Sequence, residues 1–294
     1  MQTAAIKLEK TRIADYWDLT KPGITFLVVI TAMAAFYIAS YGSPDVLLLI
    51  HSLLGIACIS GGGGTLNHYI ERSHDRLMNR TRNRPIPSGR VHPTEALILG
   101  TGLSVLGIVY LVVAVNAVTA LLGTLTLLGY IAIYTPLKRI SPHSTIIGAF
   151  PGAMPPVLGW TAVTGTVSLE TLILFAIVFF WQMPHFLGIA WMYRKDYEKG
   201  GFPMLPVVEP DGKSTARMII IYCTGLIPIS LFPTVLGMAG YIYFFTALVC
   251  GLAFLYFSIR IALSPTNTNA KYLVLASVFH LPVVMAFLMI DAVR

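Results

Sequence analysis

Nine stretches of about 20 mainly apolar residues follow one another along this chain, at roughly 22–42, 45–66, 94–114, 117–134, 143–163, 169–192, 216–237, 240–261 and 271–291. An α-helix of that length rises about 30 Å, the thickness of a bilayer's hydrocarbon core. Of the 294 residues, 56% are apolar and only 11% charged, where soluble domains carry about a quarter charged residues. The expected fold is therefore all-α, a polytopic bundle of nine transmembrane helices forming one integral-membrane domain over 1–294. Several runs are apolar on all sides, as helices facing lipid or a buried core must be. Pro and Gly interrupt some of them, notably in "FPGAMPPVLGW" at 150–160, and such breaks persist where neighbouring helices cover the freed backbone groups. Cys58, Cys223 and Cys250 lie inside apolar runs without paired spacing, which points to packing rather than to a disulfide or zinc.

A net charge of +7 could suit nucleic acid, but the basic residues occupy alternate connections between the spans. Of 20 Lys and Arg, 19 fall on one side, and only Arg294 is left for the other. Positive residues stay inside, so the segment 1–20 is expected in the cytoplasm and the C-terminus outside, in a multi-pass protein of the plasma membrane. The opposite connections are short and carry no basic residue. All the material long enough to build a polar site lies on the basic side.

At the edge of the second span the chain reads "NHYIERSHD". Asn67, Glu71 and Asp75 stand four residues apart, so on a helix they drift only about 40° per step and form one stripe. Such oxygen ligands suit Mg²⁺, which takes one or two carboxylates and leaves other positions to water and phosphates. A solvated helix end paired with nearby arginines would also account for the triplet alone. A second polar patch bears on the choice. Six arginines, among them Arg72, Arg80 and Arg84, fill the loop 67–93, and "YTPLKR" (134–139) and "WMYRKDYEKGGFPMLP" (191–206) arrive on the same side. Orientation alone asks for fewer. Carboxylates beside clustered guanidinium groups suit a polyanionic substrate, because the metal and the arginines together neutralise a diphosphate.

These residues resemble the intramembrane prenyltransferases of the UbiA superfamily, whose first motif is N-D-x-x-D-x-x-x-D. The likeness is greatest to the branch that farnesylates haem, in which the middle acid is often Glu, as at Glu71. Also typical of that branch are "NRTRNRPIPSG" (79–89), "YTPLKR", "FPGAMPPVLGW", "WQMPHF" (181–186) and "DYEKGGFPMLPVV" (196–208). The resemblance implies a central cavity open to the cytoplasmic side, in which Asn67, Glu71, Asp75 and Asp196 hold Mg²⁺ and the diphosphate of farnesyl diphosphate. It places Lys21, Arg72, Tyr134 and Lys138 against the diphosphate, with Arg80 and Arg84 from the arginine loop. One departure stands out: the second motif is often D-x-x-x-D, but the residue four after Asp196 is Gly200.

No Ser or Cys nucleophile with a paired base is visible. None is needed, because an allylic diphosphate ionises to a resonance-stabilised cation once the leaving charge is stabilised and water excluded. In the reaction the resemblance implies, a vinyl group of haem b attacks that cation and water then adds, giving haem O, with a possible hand-off to a haem A synthase. His185, inside the sixth span, is a candidate for haem, either on the iron or at a propionate; the alternative is a structural histidine bonded to a carbonyl freed by Pro184. His280 is a weaker candidate of the same kind. "GGGGT" (61–65) lacks the Lys of a phosphate loop and suits close helix packing instead. Two rival readings remain: a UbiA-type enzyme prenylating an aromatic quinone precursor, and an ion- or proton-coupled transporter, which would place its acids at mid-membrane.

Overall fold

The computed structural model describes residues 11–293; Lys7, Lys10, Arg294 and the start of the expected cytoplasmic segment lie outside the described residues. A short helix, α1 (Arg12–Leu19), precedes the first span. Among the described residues nine helices are long and apolar enough to cross a membrane. They are α2 (Pro22–Ala39), α3 (Val46–Asp75), α4 (Pro93–Ala114), α5 (Ala117–Leu137), α6 (Ser144–Thr164), α7 (Leu169–Met192), α8 (Lys213–Val235), α9 (Tyr241–Leu263) and α10 (Asn267–Ile290). Each coincides with one apolar run. Large apolar side chains such as Val113, Val235 and Leu263 stand exposed on the outside, as a lipid-facing surface requires.

The largest departure from the apolar runs is at α3, which continues nine residues past position 66 to Asp75. Asp45 caps its start, accepting from the backbone N–H groups of Leu47 and Leu48, and Arg72 and His74 in the last turn favour its negative end. The acidic triplet therefore rides on a membrane helix prolonged beyond its apolar section.

Two helices are irregular, and both irregularities face the interior. In α5 a π-helical turn spans Gly129–Tyr134, just ahead of Pro136, which has no N–H to donate. Isolated π turns often mark functional positions. In α6 the prolines of "FPGAMPP" divide the helix into Ser144–Gly152 and Pro155–Thr164. The second half crosses α2 at backbone contact, since a Cβ placed on Gly159 would lie 1.9 Å from the Ala32 carbonyl oxygen. The glycine run packs as its composition suggested: a Cβ on Gly62 would lie 2.4 Å from Ser104 Oγ in α4.

The Gly159 contact leads to a direct test. Gly159→Ala forces α2 and α6 apart, at a cost of about 1–3 kcal/mol, and should lower the thermal unfolding midpoint in detergent by several degrees. Gly102→Ala, where a Cβ meets nothing within 4 Å, should leave the midpoint unchanged or raise it slightly. Equal midpoints for wild type and Gly159→Ala would contradict the contact.

Candidate active site

A cavity of about 370 Å³ runs from the loop holding Arg80 and Arg84 down to Ile56 and Leu158. Its upper wall is polar and its lower wall is apolar. Asn67, Glu71 and Asp75 all line the upper part, at 2%, 3% and 0% exposure, so the stripe expected from their spacing is present and faces inward. This is no solvated helix end.

Each member of the stripe has a basic partner from a different part of the chain. Lys138, just beyond α5, donates to Glu71 Oε1 at 2.8 Å. Arg84 donates from one nitrogen to both oxygens of Asp75, at 2.9 and 2.8 Å. Lys21 donates to Asn67 Oδ1 and reaches the Tyr130 hydroxyl at 3.2 Å. The Asn67 amide in turn donates to Thr135 Oγ1 at 3.1 Å. Lys21 holds a left-handed backbone conformation (φ 51) at the start of α2, one that non-glycine residues adopt at a cost of about 1–2 kcal/mol. Burial pulls its ammonium pKa down to about 7, and the Arg84 charge acts in the same direction. Burial would lower Lys138 as well, but the Glu71 carboxylate beside it outweighs burial and holds it above the usual lysine range.

The π-helical turn brings Tyr130 and Tyr134 into the cavity together, their rings stacked at 5.7 Å. Lys138 Nζ lies 5.6 Å from the Tyr134 ring centre. Tyr134 was legible from the sequence; Tyr130 was missed, although an aromatic four residues before it was the available signal. Thr135 and Gln182 were missed too. Gln182, the polar residue of "WQMPHF", lines the cavity and donates to the Ala149 carbonyl at 2.7 Å.

Other expected residues lie further out. Arg72 packs over the Tyr69 ring at 4.3 Å and donates to the Tyr69 carbonyl, and it does not line the cavity. Asp196 also stays outside the cavity wall. It accepts from the Arg80 backbone N–H at 2.9 Å, while the Arg80 guanidinium rests over Tyr193 and Tyr197. Among the described residues no three His, Cys, Asp or Glu side chains converge. The oxygens that face the cavity together are thus one amide and two carboxylates. That all-oxygen donor set fits Mg²⁺, which leaves several positions to water and phosphate.

Gly200 has a steric reason. It is buried, and a Cβ there would lie 2.9 Å from Met78 Cγ and Sδ. Its carbonyl accepts from His74 Nδ1 at 2.8 Å, which ties the 194–202 segment to the end of α3. An aspartate at this position would require Met78 and Phe202 to shift.

His185 lies half-buried on α7, stacked on Trp181 at 5.2 Å. Its partner is not a carbonyl freed by Pro184 but the Ser277 hydroxyl of α10, 2.6 Å from Nδ1. That hydroxyl also lies within hydrogen-bond distance of the Val274 carbonyl, to which it can donate. His185 does not line the cavity, whereas the next residue, Phe186, does. His280 is buried against Phe254.

An apolar shaft inside a membrane bundle, crowned by buried acids and bases, defines an intramembrane site for a molecule with a polyanionic head and a greasy tail. The comparisons agree with that class. Residues 28–281 match the UbiA prenyltransferase family, and a protein of Solibacter usitatus (strain Ellin6076) named protoheme IX farnesyltransferase is 44% identical over 289 residues, covering 94% of this chain and 98% of its own. The chain belongs to the UbiA prenyltransferase family and is a multi-pass membrane protein. Solved structures share the fold. The digeranylgeranylglyceryl phosphate synthase structure matches with a TM-score of 0.80 at 18% identity, covering 96% of this chain and 99% of that one. An Archaeoglobus fulgidus UbiA homologue bound to GPP and Mg²⁺ matches with 0.59 at 14%, covering 93% and 99%.

The packing at Gly200 has a measurable consequence. Gly200→Asp, which would complete the D-x-x-x-D pattern, should lower the unfolding midpoint, at a cost of about 1–3 kcal/mol, and should not tighten Mg²⁺ binding. A variant as stable as wild type with tighter metal binding would show that the glycine is not dictated by packing.

Proposed function

We propose that this chain transfers the farnesyl group of farnesyl diphosphate to a vinyl group of haem b, with addition of water, giving haem O and diphosphate. The observation that carries the diphosphate half is the buried stripe Asn67, Glu71 and Asp75, matched one-to-one by Lys21, Lys138 and Arg84 above an apolar shaft. The acceptor is supported by the name of the Solibacter usitatus relative, and the metal by the Mg²⁺ and GPP bound to the Archaeoglobus fulgidus homologue.

In this reading Asn67, Glu71 and Asp75 hold Mg²⁺, with Asp196 contributing from the loop. When bound, the ion neutralises charge on the diphosphate. Lys21, Lys138, Arg80 and Arg84 bind the diphosphate oxygens and stabilise the charge that grows as the C1–O bond breaks. Arg72 serves from the rim. The stacked faces of Tyr130 and Tyr134 lie where the allylic cation forms, and their π faces favour positive charge. Apolar walls below exclude water until the terminal vinyl carbon bonds to C1. The new cation beside the porphyrin ring takes up water and releases a proton.

Haem would approach through the membrane at α7, where Ser277 holds the His185 ring at Nδ1 and leaves Nε2 to meet the iron. The basic end of the bundle is placed in the cytoplasm of a plasma-membrane protein, as the distribution of Lys and Arg favours. A product this greasy suits transfer within the bilayer to a haem A synthase.

Purified protein given Mg²⁺, farnesyl diphosphate and haem b should yield a haem heavier by a farnesyl group plus a hydroxyl group. Chelating the metal should abolish turnover, and Asp75→Asn should lower kcat by at least about a hundredfold, the scale set by losing one preorganised charge-stabilising group. Turnover that persists in chelator, or an unmodified haem beside a prenylated aromatic acid, would refute the proposal.

A further inference from the structure

We infer that Ile56 and Leu158 form the floor of the prenyl shaft and fix the accepted chain at three isoprene units; this rests on the proposed prenyl transfer. Both side chains line the deep end of the cavity. They are almost fully enclosed, at 1% and 3% exposure, and pack together with Ala32 in one apolar cluster. Beneath them α2 and α6 touch backbone to backbone where Gly159 meets Ala32, which leaves no passage between these two helices.

The depth matches one chain length. Along α3, Asn67 stands about 16 Å above Ile56 by helical rise. A farnesyl chain extended from C1 to its last main-chain carbon spans about 13 Å, at the roughly 1.2 Å per bond of an extended chain. One van der Waals contact of about 3.5–4 Å at the tip fills the remainder. A geranylgeranyl chain needs about 5 Å more than that and runs into Ile56 and Leu158. Ile59 lines the same wall one turn nearer the polar end, about 12 Å below Asn67. That depth suits a geranyl chain of about 8 Å plus its contact. Filling position 59 should therefore raise the floor by one isoprene unit.

The test is a competition. Wild type, Ile56→Ala, Leu158→Ala and Ile59→Phe each receive Mg²⁺, haem b and equal amounts of geranyl, farnesyl and geranylgeranyl diphosphate. The ratio of modified haems is read by mass spectrometry. Ratios within one sample do not depend on how much of a variant folds, and Leu158→Ala reads the same floor should Ile56→Ala be inactive. Wild type should favour farnesyl. Ile56→Ala and Leu158→Ala should raise the geranylgeranyl-to-farnesyl ratio, and Ile59→Phe the geranyl-to-farnesyl ratio, each by at least about tenfold, the discrimination apolar pockets commonly achieve. A wild type that uses all three equally, or variants with wild-type ratios, would overturn the floor while leaving the transfer reaction standing. A wild type that prenylates haem from none of the three would overturn the transfer reaction and the floor with it.

Discussion

Two carboxylates buried inside a membrane bundle set the terms for everything around them. Glu71 and Asp75 are 3% and 0% exposed, and removing such a charge from water costs several kcal/mol per ion unless a partner compensates. Lys138 and Arg84 supply the compensation at 2.8 Å. For that pairing to form, α3 must run on past its apolar section, the 76–92 loop must fold back over its end, and α5 must deliver Lys138 from the far wall. The positions of three segments follow from two ion pairs.

Chemistry that ionises an allylic diphosphate needs a polar head site and a dry tail site within a few ångströms. The fold separates them along one helix. The upper residues of α3 carry the oxygens, and the lower ones, from Gly63 to Ile56, carry no charge at all. The breaks in α5 and α6 complete the arrangement. The π turn before Pro136 brings two tyrosines inward, and the interrupted α6 brings Gly152 and Leu158 to the same cavity. Irregular backbone at membrane depth is tolerated where it is buried in protein or lines a cavity, and both breaks do so.

Much of this was legible in the sequence. Apolar length alone gave the nine spans, because bilayer thickness fixes helix length so tightly. The i, i+4, i+8 spacing gave the stripe, because helical period fixes which residues share a face. Partner choice was less legible. Arginines crowd the 67–93 loop, yet Arg84 turns to Asp75 while Arg72 packs on Tyr69, a difference set by tertiary packing. Asp196 accepts from the Arg80 backbone, a contact that a six-residue turn of chain gave no hint of. Tyr130 entered the cavity through a π turn whose cause, Pro136, was visible and whose consequence was not. Gly200 was noted as a missing carboxylate; that Met78 occupies the space emerges only from the packing.

The central claim is that Glu71 and Asp75 hold the metal while Lys21, Lys138 and Arg84 hold the diphosphate. The most direct measurement is a structure of the protein with Mn²⁺ and a non-hydrolysable farnesyl thiolodiphosphate, the metal located by its anomalous signal. The account predicts Mn²⁺ bonded to carboxylate oxygens of Glu71 and Asp75, with the diphosphate between the metal and the three basic side chains and the tail pointing to Ile56. A metal bound away from both carboxylates, or a tail lying outside the shaft, would contradict it.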